Sequence, residues 1–204
     1  RTVELAASFG LTGQTLRADS ALLPLAYYLH RRSVPAKFVL SREFASDRLA
    51  IRDWLYRSLL KASGIWGSGL DTLLPLLRET IREHGANEFP AAEMFDVMLR
   101  RGRSLAFDPA EIEDLLHLEY GNARTLPLLA LLFPFVDMRN QFHVDHVFPS
   151  SRLRRARLTK SGFDEEVAER MERQSNEIPN LQLLEGLINS EKLAAMPGDW
   201  LDTV

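Results

Sequence analysis

The 204-residue chain contains no cysteine. Disulfides, thiol nucleophiles and Cys-ligated zinc are therefore excluded, and the composition suits a reducing cytoplasm. A long apolar run is missing too. The longest, residues 126–136, is broken by Pro127 and Pro134 and is too short to span a bilayer, so no membrane association is expected. Nor is there an excess of positive charge. The net charge is −3, so any hold on nucleic acid must come from a local patch. No signal-peptide pattern follows Arg1, and a first residue other than Met suggests part of a longer protein. A phosphate-cradling Gly-rich loop is also lacking, so no NTPase activity is expected.

What is present is globular: 46% hydrophobic and 26% charged residues, enough for a large domain or a domain plus a small module. Residues 1–138 read as a helical domain. Leu70, Leu73, Leu74, Leu77 and Ile81 recur with helical spacing, and Gly85 is placed to end that helix. Ile51, Leu55 and Leu59 line another, flanked by Trp54 and stopped near Gly64. Pro90 is placed to open a helix carrying Met94, Phe95, Met98 and Leu99. Asp108 and Glu111 form a capping-box pattern ahead of Leu115 and Leu116. Residues 125–133 are apolar on all sides and predict a buried helix. Residues 17–32 predict a further helix, with Pro24 as an obstacle.

The pattern changes after Arg139. Residues 142–148 are short and β-prone. Residues 150–162 form a basic connector, and 164–175 predict an exposed, charged helix. Residues 178–184 are strand-like again, and 187–195 helical. The fold expected is mainly α, with a helical domain over 1–138 and a small ββα module over 139–204 whose strands are separated by an insertion.

The chemistry-bearing residues fall in that last part. Asp145 precedes His146 in His143-Val-Asp-His146-Val-Phe-Pro149. Asn180 and Asn189 follow, nine residues apart. Magnesium prefers oxygen ligands and keeps several waters, so one carboxylate and one amide oxygen can suffice; Asp145 and Asn189 are of those types. His146 is of the type that removes a proton from water. An acid, an imidazole and two asparagines in this order are suited to cleaving a phosphodiester.

These three pieces resemble an HNH nuclease of the ββα-metal (His-Me finger) class. The wording is closest to the C-terminal nuclease domain of GmrSD-type modification-dependent restriction enzymes, and phage-defence proteins of the SspE kind are similar. The likeness in motif covers residues 143–192. It implies His146 as general base, Asp145 and Asn189 as metal ligands, and Asn180 as the residue that ties the strand ends and orients the base. It places Lys192 where a basic residue approaches the phosphate. It further implies magnesium, with manganese substituting, DNA as substrate, and a parent protein with an N-terminal NTPase-type domain. Magnesium-dependent DNA cleavage in phage defence is the activity expected.

Blander readings stand beside these. Asp145-His146 can be a surface pair in a hairpin, Asn180 a turn residue, Asn189 a helix N-cap and Lys192 a solvated lysine. His143 with His146 has zinc-like spacing, but strand alternation sends the two to opposite faces. His143 is therefore expected to support the site by hydrogen bonding. Arg152, Arg154, Arg155, Arg157 and Lys160 occur in the connector with no acid among them, which suits DNA phosphates or a solvated loop. Arg100, Arg101 and Arg103 form a smaller basic cluster. A module that binds DNA through the connector without cutting is the alternative function.

Overall fold

Two compact units divide the chain in a computed structural model, Arg1–Glu111 and Ile112–Val204, and most of the regular structure in both is helical. Residues 1–202 are described, except Gln14, Arg17, Ala62 and Ser63.

The first unit contains α1 (Thr2–Ser8), α2 (Leu22–Arg31), α3 (Ala45–Leu60), α4 (Leu70–His84) and α5 (Ala91–Leu99). The stripe read in the sequence is the buried face of α4: Leu73, Leu77 and Ile81 are at most 2% exposed, and Gly85 is its C-cap. α2 and α5 pack on α4. The helix expected from residue 17 begins instead at Leu22, after a 3-10 turn over Asp19–Ala21. Arg17 lies outside the described residues. Pro24 is tolerated because it falls within the first turn, where its missing N–H has no helical partner to lose.

One buried carboxylate organises this unit. Asp47 accepts from the Tyr28 hydroxyl at 2.7 Å, the Phe89 N–H at 2.7 Å and the Arg32 guanidinium. Burial, and then Asp47, push the Tyr28 hydroxyl well above the ordinary tyrosine range. The capping box forms as read: Glu111 N–H donates to Asp108 Oδ1 at 2.8 Å, and Asp108 N–H to Glu111 Oε2 at 3.0 Å. It opens α6 (Pro109–Leu116). Lys61, almost fully buried, lies 2.6 Å from Glu111 Oε1 and holds that carboxyl below its usual range.

The second unit contains α7 (Thr125–Leu132), buried from Thr125 through Ala130 as its apolar sequence demands. Next comes β1 (Phe142–His146), then α8 (Arg155–Lys160) and α9 (Glu165–Gln174). These are followed by β2 (Leu181–Glu185), α10 (Gly186–Lys192) and α11 (Pro197–Leu201). β1 and β2 are antiparallel, pairing His143 with Leu184, Asp145 with Gln182 and His146 with Leu181. The second strand-like stretch begins as a 3-10 turn over Ile178–Asn180 and becomes extended at Leu181. The basic connector and charged helix form one helical hairpin between the strands. Leu153, Leu158 and Ala168 make its small core, with Met171 packed against it.

Candidate active site

Asp145 and His146 are neighbours in β1 but meet different surroundings. Alternation along a strand sends them to opposite faces. Asp145 faces α10 and its cross-strand partner. Its Oδ2 accepts from Lys192 Nζ at 2.8 Å and from Gln182 Nε2 at 3.1 Å. The His146 ring stacks on Tyr120, with centroids 4.8 Å apart, and its Nε2 is 2.9 Å from Asn176 Oδ1.

The register fixes the backbone between them. Val147 N–H donates to Asn180 O and Gly186 N–H to Gln141 O, each at 2.8 Å. Hydrogen-bonded pairs thus fall on odd residues of β1, and the carbonyl of His146 points away from β2. Lys192 Nζ donates to that carbonyl at 2.7 Å. The Lys192 side chain is 2% exposed. It is not a solvated helix lysine; it locks α10 against the outer edge of β1.

Asn180 is 8% exposed. Its Nδ2 donates to Phe148 O at 2.8 Å and to Ser175 O at 2.7 Å, and its Oδ1 accepts from Phe148 N–H at 2.8 Å. One side chain therefore joins the exit of β1 to the approach to β2.

Asn189 is the fourth residue of α10, not its N-cap, which is Glu185. It shares a helical face with Gly186 and Lys192. Gly186 faces the His143 ring, where an added Cβ would lie 3.2 Å from Nε2, and Lys192 meets Asp145. Asn189 therefore lies between two turns of α10 that both touch β1. Its side chain has no hydrogen-bond partner among the described residues. A carboxylate and an amide, both hard oxygen donors on packed elements, fit magnesium chemistry. Among the described residues no group of three or more His, Cys, Asp or Glu side chains gathers.

His143 is exposed and packs over Gly186, and its ring makes no hydrogen bond among the described residues, so hydrogen-bonded support from it is not seen. The connector is less uniformly basic in space than in sequence. Arg155 pairs with Glu165 of α9, which raises the guanidinium pKa further. Arg152 donates to Ala194 O at 3.3 Å and Arg157 to Ser151 O at 3.3 Å. The side chains of Arg154 and Lys160 have no partner among the described residues. In the first unit, Arg103 of the smaller basic cluster donates to Ile65 O and Ser68 O, so it has a structural role.

Sequence reading missed Tyr120, Asn176 and Gln182. Tyr120 and Asn176 come together through backbone pairing: Tyr120 N–H donates to Asn176 O at 2.8 Å and Ile178 N–H to Leu118 O at 3.0 Å. No local pattern marks such a contact. Gln182 was legible in principle, being directly opposite Asp145 once the register is known. Beside Tyr120 an open groove of about 510 Å³ is lined by Asp114, His117, Asn122 and Arg124 among others. Its mixed charge does not make it a phosphate channel.

No family model matches the chain, and no curated protein sequence matches it. No helix among the described residues is long and apolar enough to cross a membrane.

Proposed function

We propose that the chain carries a magnesium-dependent nuclease centre of the ββα-metal kind, acting on DNA within a larger phage-defence protein. The observation that carries the reading is the packing of α10, the helix bearing Asn189, against Asp145 through Lys192, one residue from an imidazole on the other face. In-line displacement puts the attacking water and the leaving oxygen on opposite sides of phosphorus. A base and a charge-neutralising centre on opposite faces of one strand are placed to flank a phosphodiester.

In this reading His146 takes the proton from water. Asp145 and Asn189 would hold magnesium, which when bound would supply charge neutralisation at the phosphodiester. Lys192 and Gln182 orient the carboxylate. Asn180 keeps β1 and β2 in the register that sets Asp145 beside Gln182. The products are 5′-phosphate and 3′-hydroxyl ends. Arg154 and Lys160, two connector cations whose side chains have no partner among the described residues, supply sequence-independent contacts to the backbone.

Incubation of supercoiled plasmid with the chain and magnesium or manganese tests this. Nicked or linear product is expected, with a roughly 10²- to 10⁴-fold loss in folded His146→Ala. Full activity in that variant, or none in the wild type, overturns the reading. A second reading, a module that binds DNA without cutting it, is favoured by one observation: the carboxylate of Asp145 already has an ammonium as partner. It predicts salt-sensitive binding and no metal-dependent cleavage.

A further inference from the structure

The His146 ring is held on two sides by residues the nuclease motif does not contain. Asn176 Oδ1 meets the Nε2 edge at 2.9 Å, and Tyr120 covers one face with the rings inclined by 29°. Nδ1 has no hydrogen-bond partner among the described residues. Neither residue is needed to fill a core: Tyr120 is 53% exposed and Asn176 is exposed as well. The two are one backbone unit, because Tyr120 N–H donates to Asn176 O and residues 119 and 177 form an isolated antiparallel bridge.

We propose that Asn176 and Tyr120 are positioning residues for His146. The amide oxygen of Asn176 keeps the ring proton on Nε2, the stacked phenol fixes the ring plane, and Nδ1 is left as the basic nitrogen.

A neutral imidazole has one donor and one acceptor nitrogen, and whichever nitrogen faces an acceptor must carry the hydrogen. An amide oxygen on Nε2 therefore determines the tautomer. A stacked aromatic ring removes the rotation that would otherwise spread Nδ1 over many directions. Both effects raise the fraction of time in which the lone pair is correctly aimed, and proximity effects depend on such alignment. The bridge of residues 119 and 177 makes the two constraints arrive together.

The consequence for catalysis rests on the nuclease reading; the tautomer does not. Long-range proton–nitrogen correlation spectra of the full chain, labelled at histidine and recorded in alkaline buffer, identify the tautomer directly, with His146→Ala assigning the signal. The Nε2–H form is expected in the wild type, and a mixture of both forms in Asn176→Ala. Asn176→Asp, which keeps an acceptor at the same place, is expected to restore the Nε2–H form. In plasmid cleavage, Asn176→Ala is expected to lower kcat roughly 10- to 100-fold with little change in KM, and Tyr120→Ala, which removes the stack, to lower kcat as well. An Nδ1–H form in the wild type, or an unaltered Nε2–H signal in Asn176→Ala, overturns the proposal. The expected spectra from a protein that leaves plasmid intact sink the nuclease reading alone.

Discussion

The ammonium of Lys192 lies 2.8 Å from Oδ2 of Asp145 and 2.7 Å from the carbonyl oxygen of His146. A buried cation thus joins the side chain of one motif residue to the backbone of the next. Removing one member of such a pair leaves the other charge without compensation in a poorly hydrated place. Asp145→Ala should therefore cost about 3 kcal/mol or more, read as a lowered midpoint in denaturant unfolding. Lys192→Met should act in the opposite direction on cation binding. Without the nearby like charge, manganese affinity measured by calorimetry without DNA should rise by about tenfold or more. An unchanged affinity would separate Asp145 from the metal.

Asn180 makes three hydrogen bonds in a buried setting. Asn180→Ala leaves the Phe148 N–H and two carbonyls to find other partners, at a cost of about 2–3 kcal/mol. Denaturant unfolding should show this loss whether or not metal is present. Any loss of plasmid cleavage should diminish at temperatures well below the unfolding transition.

The cations of the connector differ in their pairing. Arg155 is neutralised by Glu165, whereas Arg154 and Lys160 have no ionic partner among the described residues. Joint replacement of Arg154 and Lys160 by alanine should reduce the slope of log affinity against log salt by about 1–2. Arg155→Ala should change it less. Fluorescence anisotropy with a labelled duplex measures both.

Leu193 has φ of 47° and is 76% exposed. A β-carbon in that region is crowded by its own backbone, and here no burial compensates. Leu193→Gly should therefore raise stability by about 1 kcal/mol, seen as a higher melting temperature. A lower melting temperature would mean that the leucine has a packing role.

His117 is held protonated above the ordinary histidine value of 6.5, chiefly by its hydrogen bond to Glu177 and then by the charges of Glu177 and Glu113. The folded value is raised, so this stabilisation is complete below about 6.5 and is lost as pH rises through the folded value. The side chain is 56% exposed, so the effect on stability is small. A histidine proton titration should place His117 above 6.5, and Glu177→Gln should return it toward that value.

How much of this was legible depends on the range of the interaction. The α4 stripe and the Asp108–Glu111 capping box are local patterns, and both appear where the sequence placed them. The two strands and the charged helix between them were also local readings, whereas the connector, read without a helix, contains α8. Lys192 was not legible, because its burial depends on β1, 46 residues earlier, and on the abrupt turn at Leu193. Arg155 read as a free cation because its partner belongs to the next helix. The Asn176 contact to His146 spans 30 residues and depends on a single isolated bridge, which no periodicity announces.

The side chain of Asn180 has a consequence for how this region can diverge. It fastens the two ends of the intervening helical hairpin to each other, and that hairpin has a private apolar nucleus of its own. Length, charge and even secondary structure there can be exchanged while the neighbouring strands stay aligned. The appendage is free to be retailored for different contacts, provided that Asn176 and Asn180 at its base are kept.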